Sequence, residues 1–453
     1  IDNGRLEVAG DYYIAGSREI DNTGAEVVTG CYGLLQMTNA NDQVHVGGNF
    51  LTAGGGHTDY LTKGTMYLHG HFSQRSLNNG YSFNAKGSHK VKFEGTGRHE
   101  IYFQKYDYSG FANVEFDEYA DIRLQSYIRG FTLAENINLT IETNAFGVSG
   151  TLDLNGHVPN GLTLSGAPFT FSTGTLKLGG CTVEVVKDLV QSGGTLDLDA
   201  GSLKVRGAIL QKGGTMYIDN GSLEVAGDYY IAGSREIDNT GTEVVTGCYG
   251  ILQMTKTGDT VYVGGNFLTA GGGHTDYLTA GTMYVKGDFT QKKNNNSYSF
   301  NAKGTHKVVL NGRALQNVSF SSYSSSRFNI LVIRNDLSHI TFSPNPCWVQ
   351  FIDESADVKP DFILPSTSAL RVIEEEAFMN SSFTYVYLPD SVTTIAARAF
   401  ANCGSLEIIR IPQNTTAIAA DAFSGVTGLT IYGETGSYAE SYAKTRGFYF
   451  EAE

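Results

Sequence analysis

Two four-residue stretches carry the side chains best suited to ligand chemistry. His57-Thr58-Asp59-Tyr60 follows a Gly-Gly-Gly run, and the same four residues return at His274-Thr275-Asp276-Tyr277. An imidazole and a carboxylate on a glycine-led loop are able to ligate a metal or bond sugar hydroxyls, with the tyrosine ring as a platform. Two ligands do not complete a metal site, however. The expectation is therefore local bonding to backbone, and no metal is assigned. His57, Asp59, Tyr60, His274, Asp276 and Tyr277 are kept as ligand-contact candidates.

Other chemistry is thinner. The acidic corners Asp153, Asp197-Leu198-Asp199 and Asp219 resemble the clustered carboxylates of polysaccharide lyases only in composition. Their acids alternate outward singly, and Lys204 and Arg206 lie on a different strand, so solvated strand faces are expected. A cryptic lyase is the weakest functional reading. The pairs Tyr12-Tyr13 and Tyr229-Tyr230 place one ring of each inward by alternation and leave the other free to stack on a sugar. Leu364-Pro365-Ser366-Thr367-Ser368 lacks the glycine and apolar tail of a sortase signal, and Pro365 reads as the end of a repeat strand. No nucleophile–base pair, phosphate loop or cofactor box is present, and the expectation is a non-enzymatic protein without cofactor.

The elements that hold these residues announce themselves between 174 and 235. Gly174, Gly194 and Gly214 stand 20 residues apart and open three parallel lines of text. Apolar residues fall in register down the lines, as Leu176, Leu196 and Met216 do, or Val183, Leu203 and Leu223. Within a line they alternate with polar residues, which is the mark of a strand with one buried face. No line can bury that face alone, so coils must stack about 4.8 Å apart as parallel strands. The fold expected is all-β, a parallel β-solenoid coiled as a right-handed β-helix. A recurrent Gly-Asp-aromatic step (Gly10-Asp11-Tyr12, Gly227-Asp228-Tyr229, Gly287-Asp288-Phe289) is expected to form one corner, with the carboxylate capping amides.

A larger repeat overlies the short one. Residues 1–74 return almost verbatim at 218–291, an offset of 217. Ile1 corresponds to Ile218, which sits inside a strand-like GTMYID run, so the chain reads as part of a longer array. The expected units are a solenoid at 1–217 and a second at 218–358. The net charge of −14 leaves no basic cluster for nucleic acid or an anionic membrane. No apolar run reaches the roughly 18 residues of a membrane span. The cysteines (Cys31, Cys181, Cys248, Cys347, Cys403) are odd in number and lack CxxC pairing, so neither a disulfide framework nor a zinc site is expected.

From 359 to 453 the period changes. Ile373, Ala377 and Phe378 are answered by Ile395, Ala399 and Phe400, then by Ile418, Ala422 and Phe423. The middle line continues through Cys403, Leu406, Ile409, Ile411 and Pro412. This resembles the leucine-rich repeats of BspA-type bacterial surface proteins. The first line lacks the Cys and the third the Pro, and the tail SYAESYAKTRGFYFEAE reads as a short helix and strand closing the core. The resemblance implies a small leucine-rich-repeat solenoid domain on an exported protein, extracellular or attached to the cell surface. It implies an adhesin or scaffold whose partner is a host or neighbouring-cell protein or a surface glycan. The alternative is a glycan-binding module that accompanies polysaccharide degradation. Because the outward residues differ between these repeats, Tyr385, Tyr387, Glu407 and Arg410 join the contact candidates.

Overall fold

A computed structural model describes residues 1–237, 243–322, 325–335, 339–342, 348–353, 361–363 and 370–453. Cys347, the expected boundary at 358–359 and the Leu364–Ser368 segment lie outside the described residues. The chain divides by spatial contact into two compact units, Ile1–Arg206 and Gly207–Glu453. Both are parallel β-solenoids, and the second also carries the C-terminal repeats.

In the first unit, Arg5–Val8, Gln43–Val46, Thr65–Leu68, Lys90–Phe93 and Asn113–Phe116 stack as one parallel sheet. A second face stacks Tyr12–Ile14, Phe50–Thr52, Phe72–Gln74, Arg98–Phe103, Asp121–Leu124 and Asn138–Ile141. The strands form because every second side chain, such as Val44, Met66, Val91 and Phe72, Ile101, Ile122, is removed from water between the faces. Phenylalanines stack up the interior, and the duplication reproduces the stack. Phe72 and Phe111 stand 4.8 Å apart in the first unit, as Phe289 and Phe328 do at 4.7 Å in the second. Gly174 and Gly194 turn corners at φ of +72° and +68°, where a Cβ would collide with the carbonyl of the coil below.

The Gly-Asp-aromatic step does more than turn its own corner. Asp11 Oδ1 accepts the amide of Asn49, one coil on, at 2.7 Å, and Asn49 Oδ1 accepts the amide of His71, the next coil on, at 2.8 Å. Asp228, Asn266 and Asp288 repeat the ladder in the second unit. These Asp and Asn side chains therefore clamp successive coils together.

Each unit also departs from the coil pattern expected of it. Arg18–Ile20 pairs with Glu26–Val28 as an antiparallel hairpin, and Ser234–Ile237 pairs likewise with Glu243–Thr246. The first hairpin turns where Asp21 Oδ1 accepts the amides of Thr23 and Ala25 and Gly24 takes φ +83°. It carries Ile20 into solvent.

The C-terminal repeats continue the second unit. Phe378, Phe400 and Phe423 stack at 4.9 and 5.1 Å with ring planes nearly parallel, and Trp348 and Phe351 pack on Phe378 from the solenoid side. The other end is closed by helix Tyr438–Arg446, which lays Tyr442 on Phe423. Its start is capped from both sides: N-cap Ser437 Oγ accepts the Glu440 amide, and Glu440 Oε2 reaches back past the cap to accept the Gly436 amide. Gly447 ends it at φ +76°.

Candidate functional site

The strands Asp361–Ile363, Tyr385–Tyr387, Ile408–Arg410, Thr430–Gly433 and Tyr449–Ala452 form one parallel sheet whose central residues, among them Val386, Ile409 and Ile431, are buried. Alternation then aligns two outward rows. One runs Tyr385, Ile408, Thr430, Tyr449; the other runs Tyr387, Arg410, Tyr432, Glu451. Four tyrosines thus share one open face. Tyr449 is 72 % exposed, and the Tyr432 phenol is held above its usual pKa chiefly by its hydrogen bond to the Glu451 carboxylate. The face offers planar rings with polar tips and almost no two adjacent rungs alike, which suits discrimination between partners.

Of the candidates read from sequence here, Tyr385 and Tyr387 lie on this face, and Glu407 stands exposed just before its strand. Arg410 has a different role. Only 9 % exposed, it bonds the Leu388 carbonyl at 3.1 Å, Asp390 at 2.6 Å and Glu453 at 2.9 Å, with its guanidinium 4.8 Å from the Tyr387 ring centre. It ties strands together and is not a free cation. Ile408, Tyr432, Tyr449 and Glu451 were not picked out from sequence. Their signal was available in the strand register, once the tail strand is aligned with the repeats.

The duplicated HTDY corners separate their side chains. His57 is fully buried, and its Nε2 accepts the Leu35 amide at 2.9 Å; His274 does the same for Leu252 at 3.1 Å. Burial lowers both imidazoles to a pKa of about 4. Asp59 and Asp276 point to solvent and pair with Lys86 and Lys303 at 3.2 and 3.1 Å. Tyr60 and Tyr277 are over a third exposed. Imidazole and carboxylate therefore do not converge. Among the described residues no group of three or more His, Cys, Asp or Glu is placed to hold a metal ion.

Asp199 and Asp153 share Lys177 at 3.1 and 3.7 Å, so these acidic corners are bridged along the stack. Tyr13 is outward, as alternation requires, and bonds Asp11. Tyr230 corrects the expectation of a free outward ring: it is 7 % exposed because Val245 of the hairpin and Leu268 cover it. Outward aromatic pairs do occur elsewhere, with His45 stacked on Tyr67 at 4.2 Å and Tyr262 on Tyr284 at 4.8 Å. Cys31, Cys181, Cys248 and Cys403 are free thiols.

Residues 360–435 match the family model described as BspA type leucine rich repeat region (6 copies). The C-terminal repeats are of that type, a repeat of bacterial surface proteins. No curated protein and no solved structure matches the chain.

Proposed function

We propose that this chain is a non-enzymatic adhesin or scaffold displayed outside a bacterial cell, with the tyrosine face of its leucine-rich repeats as the contact surface. The partner class is a protein or glycan on a host or neighbouring cell. One observation carries the reading: Tyr385, Ile408, Thr430 and Tyr449 lie rung by rung on an open sheet face beside Tyr387 and Tyr432. Tyrosine combines large contact area with low entropic cost and a polar tip, and so suits an interface that must stay soluble when free. The stacked coils supply a repetitive scaffold that can be lengthened by duplication, because each coil needs only to fit its neighbours. Among the described residues no helix is long and apolar enough to cross a membrane.

The test is adhesion of beads coated with the full chain to cultured cells and to immobilised extracellular-matrix proteins. Tyr385→Ala combined with Tyr449→Ala should reduce bead retention at least tenfold, about 1.4 kcal/mol, while the melting midpoint stays within a few degrees. Full retention by this variant would assign binding to another part of the chain.

A further inference from the structure

A cleft of about 390 Å³ lies on the first unit. That volume falls at the lower end of the range of about 300–1,000 Å³ typical of small-ligand clefts. Its floor is the outward row Tyr13, Leu51, Ser73 and Tyr102, set in line by the parallel register. One wall is the projecting hairpin, whose Arg18 and Glu26 are paired with each other. His71, Arg75, Glu100 and Gln125 also line it.

The polar groups here are unevenly matched. The guanidinium of Arg75 lies 4.4 Å from the Tyr102 ring centre, and among the described residues no carboxylate pairs with it. Other arginines of these coils are engaged: Arg18 with Glu26, Arg98 with Glu100 and Glu142, Arg123 with Asp121 and Glu142. Those pairs also neutralise the two carboxylates that border the cleft, Glu26 and Glu100. His71 Nδ1 accepts the Glu100 amide at 3.1 Å, so a neutral His71 carries its proton on Nε2. The Ser73 hydroxyl is buried and finds no partner among the described residues. Among the described residues the cleft therefore holds one cation without an ion pair, surplus hydrogen-bond donors and two tyrosine rings, Tyr13 with the Arg18 guanidinium over it at 4.7 Å and Tyr102 with Arg75.

We propose that this cleft binds a carboxylate-bearing saccharide. Arg75 takes the carboxylate, His71 and Gln125 bond hydroxyls, and the sugar ring packs against Tyr102. A peptide is the poorer fit. The strands Phe50–Thr52, Phe72–Gln74 and Arg98–Phe103 are paired on both sides, which leaves no edge for backbone pairing. The floor also offers Leu51 as its only aliphatic contact. The duplicated copy supplies an internal control. Where the first copy has His71, Arg75 and Tyr102, the second has Asp288, Lys292 and Ser319, and its Tyr230 is covered. The copies keep Tyr13, Arg18, Glu26 and Leu51 as Tyr230, Arg235, Glu243 and Leu268, and differ at His71, Ser73, Arg75, Glu100, Tyr102 and Gln125, the polar side of the cleft.

Uronic and sialic acids both carry this chemistry, and titration calorimetry of the full chain separates them. The probes are a galacturonic-acid trisaccharide with its methyl ester, and 3′-sialyllactose with lactose. One acidic probe is expected to bind, with its uncharged counterpart at least tenfold weaker. Arg75→Met, at a surface position, should weaken binding about tenfold or more, and Lys292→Met should not. The melting midpoints of both variants are measured alongside. Binding by neither acidic probe, or unchanged affinity in Arg75→Met, overturns the proposal. Tyr385→Ala with Tyr449→Ala should leave this binding intact, so the outcome is independent of the leucine-rich-repeat face.

Discussion

The ring nitrogen Nε2 of His57 accepts the backbone N–H of Leu35 at 2.9 Å inside the first solenoid unit. His89, which feels the same imidazole electrostatically and packs edge-on at 5.9 Å to Phe83, has no partner on either nitrogen among the described residues. These two buried histidines should respond oppositely to removal. His57→Leu strands a buried amide and should destabilise by about 1–3 kcal/mol. His89→Leu removes an unsatisfied polar ring and should be neutral or stabilising at pH 7.5. Denaturant midpoints that fall equally for both variants would contradict this distinction.

The same histidines make the fold acid-sensitive. Burial lowers His57, His89 and His274 to about 4 and His306 to about 3, against 6.5 in the unfolded chain. Above pH 6.5 they are neutral in both states and contribute nothing. As pH falls below 6.5 the unfolded chain takes up protons that the folded one refuses, so stability is lost progressively down to about pH 4. At pH 5 the loss is about 2 kcal/mol for each histidine. Melting midpoints measured from pH 7.5 to 5 should fall, and His89→Leu with His306→Leu should flatten that slope. An unchanged slope in the double variant would place the acid sensitivity elsewhere.

Arg410 should behave as a structural tie. A lysine offers a single ammonium and cannot hold Asp390, Glu453 and the Leu388 carbonyl together. Arg410→Lys should cost about 1–2 kcal/mol and Arg410→Met somewhat more. Amide exchange in Tyr449–Ala452 should accelerate in both. Protection equal to wild type would return Arg410 to the list of free contact residues.

The alternation of the solenoid is tested at neighbouring positions. Leu203 is 3 % exposed and opposes Val183, whereas Lys204 opposes Glu184 on the outer side, where Arg206 already pairs with that carboxylate at 2.7 Å. Leu203→Asp buries an unpaired carboxylate and should cost about 3 kcal/mol or more. Lys204→Gln should stay within about 0.5 kcal/mol. Similar midpoints for the two would show the inner and outer faces assigned the wrong way round.

The coiled fold could be read from the chain because its information is local. Alternation such as Ser202-Leu203-Lys204-Val205 names the buried face, the glycines 20 residues apart name the corners, and Ile395 through Pro412 name the repeat type. Which side chains meet was a different question, because it depends on what the adjacent coil places opposite. The corner histidines His57 and His274 turned inward to serve amides 22 residues back. Asp11 reached 38 residues forward to Asn49, and the hairpin's Val245 covered Tyr230. The tyrosine face needed Tyr449 brought beside Thr430, and the cleft needed Arg75 laid over Tyr102. Period and burial follow from single strands, but contacts between coils follow from register, which only the stacked structure decides.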